Sequence, residues 1–152
     1  MTDIGIRPAD ANDIPAIVDM LADDALGATR ESPDDLHPYF VAYERLQADP
    51  NQFVMVAVRE DRVVGTFQLT VVPGLSRRGS TRSVIEGVRV HSSERGHGLG
   101  QLMIEWAIEE SRKQGCSLVQ LTSDTARPDA HRFYERLGFV GSHVGFKLAL
   151  QP

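Results

Sequence analysis

Residues 88–100 read Val-Arg-Val-His-Ser-Ser-Glu-Arg-Gly-His-Gly-Leu-Gly, and no other stretch constrains the fold as much. A strand-like run ends at His91, and three glycines follow within five residues. The apolar spacing then becomes helical, with Leu99, Leu102, Met103, Trp106 and Ala107 on one face of a helix over 98–114. Gly115 is placed to close that helix, and residues 118–122 read as a strand. Strand, helix and strand over 81–122 predict a right-handed parallel crossover. A glycine-rich bend that opens a helix is also an anion site. The first N–H groups are unpaired, the helix end is positive, and glycine lets a phosphate approach closely. Arg95 adds a charged fork beside it.

Two familiar phosphate loops do not fit. A P-loop ends in Gly-Lys-Ser/Thr, whereas Gln101 follows Gly100 here. A dinucleotide fingerprint counted from Gly98 meets Met103 at its third glycine. What remains is R-x-x-G-x-G, filled by Arg95, Gly98 and Gly100.

The rest of the chain supplies the elements around this unit. Residues 3–7 read as a short strand. Asp10 caps a helix carrying Ile14, Ile17, Val18, Leu21 and Ala25, which Gly27 closes. Ser32-Pro33 predicts the start of a second helix, with Leu36, Phe40, Tyr43 and Leu46 inward and Asp49-Pro50 as its stop. Residues 53–59 and 62–72 form an antiparallel hairpin about Glu60-Asp61, and residues 73–79 are a loop before the strand at 81–91. Pro128 opens a last helix that Gly138 ends. Val144, Phe146, Leu148 and Leu150 alternate with His143, Gly145 and Lys147, as in a half-buried strand over 142–150. The expected fold is α/β, a central mixed sheet flanked by helices in the order β-α-α-β-β-β-α-β-α-β, as one domain over 1–152. A sheet edge at 142–150 needs covering, which makes a homodimer the expected assembly.

Composition removes several classes. The net charge is -5, which disfavours nonspecific nucleic-acid binding because phosphate repels it. One cysteine, Cys116, allows neither an intrachain disulfide nor a multi-thiolate metal site, and His91, His97, His131 and His143 lack metal-ligand spacing. No metal is expected. The start of the chain lacks a basic region followed by an apolar run, and the run over 53–58 is too short to span a bilayer. The expectation is a cytoplasmic protein with no membrane partner.

At 84–139 the sequence resembles the GNAT superfamily of acetyltransferases. The stretch ending in Arg95-Gly96-His97-Gly98-Leu99-Gly100 resembles that family's acetyl-CoA motif. Ala130-His131-Arg132-Phe133-Tyr134-Glu135-Arg136-Leu137-Gly138-Phe139 resembles its second signature, A-x-x-F-Y-x-x-x-G-F, at the matching spacing. Arg127 stands where the family often has Asn, and Gly87 where its amino-sugar-phosphate members tend to be acidic. The resemblance implies acetyl-CoA as cosubstrate. The N–H groups of Arg95, Gly96, His97, Gly98, Leu99 and Gly100, with Gln101 next in line, would grip the pyrophosphate. The edge formed by Val88, Arg89 and Val90 would pair with the pantetheine arm.

Acetyl transfer to an amine needs a neutral nucleophile, a stabilised oxyanion and a departing thiolate. An alkylamine of pKa about 10.4 is about 0.1% neutral at pH 7, a cost of about 4–5 kcal/mol. A carboxylate that takes the amine proton removes that cost, and a backbone N–H at 88–90 can hold the oxyanion. Glu86 is the candidate base, sharing a strand face with Val84, Val88 and Val90 by period-2 counting. Its alternative is an ion pair with Arg89 or Arg82. Tyr134 is the candidate acid for the departing sulfur, implied by the family resemblance. Its alternative is plain core beside Ala130, Phe133 and Leu137. Cys116 has nothing to activate it.

The acceptor is expected to be a small-molecule primary amine, attacking directly in a ternary complex. Two other readings are a noncatalytic acyl-CoA-binding regulatory module and a protein or peptide N-acetyltransferase. Asp23, Asp24, Glu31, Asp34 and Asp35 favour a cationic acceptor, whereas Arg77 and Arg78 favour an anionic group on it.

Overall fold

The structure, a computed structural model, describes residues 3–151 and consists of two compact units, Met1–Gln120 and Leu121–Pro152. The first unit is built on a five-stranded sheet in the order β1-β2-β3-β4-β5. The strands are β1 Gly5–Pro8, β2 Gln52–Arg59, β3 Arg62–Pro73, β4 Thr81–Val90 and β5 Cys116–Leu121. β1 to β4 pair antiparallel in sequence. Helices cover both sheet faces: α1 Ile14–Ala22, the single turn α2 Gly27–Arg30 and α3 His37–Gln47 on one, α5 Leu99–Lys113 on the other. Between β3 and β4 lies the short turn α4 Ser76–Gly79, where Arg77 and Arg78 are left-handed at φ 53° and 61°. Among the described residues no helix is long and apolar enough to cross a membrane.

Asp10 caps as the sequence predicts, but it caps a 3-10 turn, Ala11–Asp13, that leads into α1, and α1 ends at Ala22, short of Gly27. Asp10 Oδ1 accepts from the Asn12 N–H at 2.8 Å, and Asp13 Oδ2 accepts from the Asp10 N–H at 2.8 Å, a reciprocal cap. Asp13 also takes two hydrogen bonds from the Arg7 guanidinium, at 2.7 and 3.1 Å, tying β1 to the head of α1. Those bonds hold the Asp13 carboxyl below the usual aspartate range, against the upward push of burial. A depressed carboxyl stabilises the fold fully above the unfolded pKa and stops doing so as pH falls through the folded value. Asp13→Asn is therefore expected to cost about 1.5–3 kcal/mol at neutral pH. It should also flatten the loss of stability below about pH 4, where free Asp protonates. Thermal midpoints from pH 7 down to pH 2, wild type against mutant, measure both effects.

The second helix does not begin at Ser32-Pro33. α3 starts at His37, with Pro38 in its first turn. A proline six residues into a helix would lack its N–H and clash with the carbonyl four residues back. Pro38 therefore forces the start forward. Ser32 instead closes an isolated turn, its Oγ donating to the Asp35 carbonyl at 3.1 Å. Leu36 and Tyr43 pack on the core as expected and Tyr39 joins them, while Phe40 is 37% exposed. That core joins Ala9, Ile14, Ile17, Val18 and Val56.

β2 and β3 turn through Glu60 and Asp61, both at positive φ (50° and 63°), a two-residue turn whose twist suits the hairpin. On the other face α5 sits close against β3. A Cβ on Gly65 would lie 2.8 Å from Met103 Sδ. Phe67 meets Trp106 in a tilted contact with centroids 5.7 Å apart, and Ser83 and Ser111 share a buried hydroxyl hydrogen bond of 2.7 Å.

The second unit contains α6 Pro128–Arg136, opened by Pro128 and followed by Gly138 at φ 97°, both as expected. Residues 142–150 form no strand. Val144, Phe146, Leu148 and Leu150 are 77–93% exposed, so the alternation has no partner strand to bury it. Period-2 spacing marks the capacity for a strand, while the ladder needs a neighbour. The sheet edge from which pairing of two copies was expected is therefore absent among the described residues.

Candidate active site

The glycine loop joins β4 to α5 as its sequence predicts. Gly96 and Gly98 are left-handed, at φ 81° and 83°, and Gly98 is the residue before the first helical turn. The first intrahelical bond runs from the Leu102 N–H to the Gly98 carbonyl at 3.1 Å. The N–H groups of Leu99, Gly100 and Gln101 therefore head the helix without an acceptor inside it. A Cβ built on Gly96 or Gly98 meets nothing within 4 Å, so the space over the bend is open. Convergent N–H groups, a helix positive end and clear approach suit a polyphosphate.

Side chains brace this loop from three directions. Glu94 is buried at 7% exposure and pairs with Arg59 at 3.1 Å. Arg95 reaches the Val90 carbonyl at 3.3 Å and the Asp23 carboxylate at 3.4 Å, in an exposed contact. His91 Nδ1 accepts from the Ser93 N–H at 3.1 Å. Asp19, Met20, Ala22, Asp23 and His91 line a shallow cleft between the end of α1 and the start of the loop. Asp24 pairs with Arg89 at 3.3 Å and accepts from the Gly27 N–H. Of the five acidic residues that the sequence offered to a cationic acceptor, Asp23 pairs with Arg95 and Asp24 with Arg89.

β4 carries a bulge that period-2 counting missed. Gln68 faces Glu86 and Thr66 faces Arg89, so Phe67 alone opposes Gly87 and Val88. Gly87 sits at φ 64°, where glycine is at ease and other residues are strained. An isolated glycine inside a strand was the available signal. The extra residue shifts the alternation. Glu86 keeps Val84 and gains Arg89 on its face, while Val90, opposite Gly65, turns to the α5 side. The predicted face Val84-Glu86-Val88-Val90 is thus broken at Gly87. Glu86 is exposed, and neither Arg82 nor Arg89 pairs with it.

In the second unit Tyr134 is half-buried on α6. Its ring meets Phe133 and Phe139 edge-on, at 5.1 and 5.8 Å. Burial pushes the Cys116 thiol up, against a smaller downward pull from a hydrogen bond to Ser83, so the thiolate is scarce at neutral pH. Among the described residues no three His, Cys, Asp or Glu side chains gather as metal ligands would.

A strand with a bulge, a left-handed glycine loop and an anion-receptive helix head thus stand together at one end of the sheet. Comparison with known proteins gives the family. Residues 15–139 match the model of the Acetyltransferase (GNAT) family, and the chain belongs to that family. The aminoalkylphosphonate N-acetyltransferase of Salmonella typhimurium is 37% identical over 102 residues, 67% of this chain and 66% of that protein. The glucosamine 6-phosphate N-acetyltransferase of Trypanosoma brucei brucei is 42% identical over 90 residues, 59% of this chain and 58% of that protein. The matches therefore span less than two thirds of these relatives' own length, 66% and 58%. A crystal structure described as a transcriptional regulator from Bacillus halodurans C-125 superposes with a TM-score of 0.94 at 44% identity, covering 97% of this chain and 100% of that one.

Proposed function

We propose that this protein moves the acetyl group of acetyl-CoA to the primary amine of a small molecule, by direct attack in a ternary complex. The observation that carries this reading is the left-handed Gly96–Gly98 bend at the head of α5, open to a polyphosphate and braced by Arg95. In this reading the N–H groups of residues 95–101 bind the pyrophosphate. Val88, Arg89 and Val90 offer backbone groups to the pantetheine arm and the thioester carbonyl. Glu86 accepts the amine proton, and Tyr134 returns a proton to the departing sulfur. Two relatives are named for amines that carry a phosphonate or a phosphate, which favours a small anionic amine as acceptor.

The test is thiol release from acetyl-CoA across a panel of small amines and peptides. Turnover on small amines is the expected result, and turnover on peptides alone would move the function to protein N-acetylation. Glu86→Gln should cut the rate at pH 7 by about 10²–10⁴-fold. That deficit should shrink as pH rises toward about 10, because the amine then loses its proton unaided. An equal deficit at every pH would remove Glu86 from the role of base.

A second reading is favoured by the name of the Bacillus halodurans structure: a noncatalytic acyl-CoA-binding regulatory module. It predicts acetyl-CoA binding without turnover on any amine or peptide.

A further inference from the structure

The sheet face that carries Glu86 packs Val56 against Ile14, Ile17 and Val18 of α1 and also carries a row of polar side chains. Across the ladder, Gln68 lies opposite Glu86, and Thr70 lies opposite both Gln52 and Val84. The Gln52 carbonyl oxygen accepts from Gln68 Nε2 at 2.9 Å and from Thr70 Oγ1 at 2.8 Å. That holds the Gln68 amide by its NH₂ end and leaves its carbonyl oxygen to accept another donor beside Glu86. Arg82 lies on the same face, opposite Val72 and four residues before Glu86. It is half-buried, and among the described residues no hydrogen bond or ion pair claims its guanidinium. None of its nitrogens is buried without a partner, so the guanidinium stays open to an incoming acceptor.

The row is therefore two-ended. One end offers a carboxylate and a free amide carbonyl, which suit an ammonium. The other offers a planar guanidinium, which suits a phosphate-type oxyanion in a bidentate grip. Four strand residues separate the two Cα atoms by about 13 Å. Two long side chains leaning inward across that span leave room for a ligand of a few bonds. Arg77 and Arg78, by contrast, lie in the exposed turn beyond the end of β3, outside this row.

We infer that Arg82 is the residue that selects the acceptor, binding the phosphate or phosphonate end of a short amine whose nitrogen is held by Glu86 and Gln68. The inference rests on the acetyl-transfer reading above and adds the acceptor's anion site to it.

The test compares two acceptors of equal length, 2-aminoethylphosphonate and propylamine, with the full chain and acetyl-CoA. Wild type should prefer the phosphonate. Arg82→Met should lower that preference by about ten- to a hundred-fold, through KM rather than kcat, as expected for loss of one charge-assisted contact. Arg82→Lys should restore part of it. The thermal midpoint of Arg82→Met should match wild type, since no partner is lost. Arg78→Met should keep the preference. An intact preference in Arg82→Met, or its loss in Arg78→Met alone, overturns the inference. So does a wild type that turns over propylamine and not the phosphonate, and acetyl transfer then still stands. The converse case is separable by calorimetry. Binding of 2-aminoethylphosphonate lost in Arg82→Met, with no turnover of any amine or peptide in the panel, supports Arg82 and removes acetyl transfer. Neither binding nor turnover of the phosphonate overturns the anion site.

Discussion

Calorimetric titration of Gly98→Glu with acetyl-CoA is expected to show binding weakened by more than about a hundredfold, since a carboxylate would occupy the place of an anionic ligand. Gly98 is left-handed at φ 83°, so any side chain there costs about 1–2 kcal/mol of backbone strain. A Cβ meets no atom within 4 Å, so nothing is overpacked. A negative side chain before the first turn of α5 is also favourable to the helix dipole. The mutant should therefore fold, with its new carboxylate projecting into the open space over the bend. Gly98→Ala separates the two effects, because it keeps the strain and lacks the charge. It should lose far less affinity than the glutamate. Undiminished binding by folded Gly98→Glu would take the pyrophosphate away from this loop.

Tyr134→Phe is expected to lower turnover by about 10²–10⁴-fold while leaving acetyl-CoA affinity near wild type. The substitution removes one hydroxyl and keeps the ring that packs edge-on against Phe133 and Phe139. Aromatic packing survives it, so the thermal midpoint should move little. A residue that only fills space would show the same midpoint and full turnover. Both quantities measured on one preparation decide between acid and packing. Full activity would leave the thiolate to depart with water or with no acid at all.

The sequence made the local elements legible where one chain segment determines its own conformation. The hairpin at Glu60-Asp61, the glycine loop, the cap at Asp10 and the helix after Pro128 each depend on neighbours within four residues or so. Three features were not legible for three different reasons. Pro38 moved the start of α3, because a proline near a helix head overrides a cap signal six residues earlier. The Gly87 bulge changed which side chains accompany Glu86, because a register shift is visible only when the partner strand is known. Residues 142–150 kept their alternation without a ladder, because pairing depends on what lies alongside. At the candidate site the residue types were readable from the glycines, Arg95 and Glu86. The roles of Asp23 and Asp24 were not, since their arginine partners lie more than sixty residues away in the chain.

If Arg95 binds the cosubstrate's pyrophosphate as proposed, its contact with Asp23 has a thermodynamic consequence for loading. A free arginine on a loop samples many rotamers and must surrender them when an anion arrives. Arg95 has already given up part of that freedom to the Asp23 carboxylate, so an arriving phosphate would meet an arm that is partly pre-positioned. Its arrival is then a swap of one anion for another rather than the capture of a solvated cation. Added salt weakens the outgoing pair as well as the incoming one. The two effects oppose each other in the measured affinity. Such an exchange loads a polyanion with a shallower dependence on ionic strength than the charges in the loop alone would give.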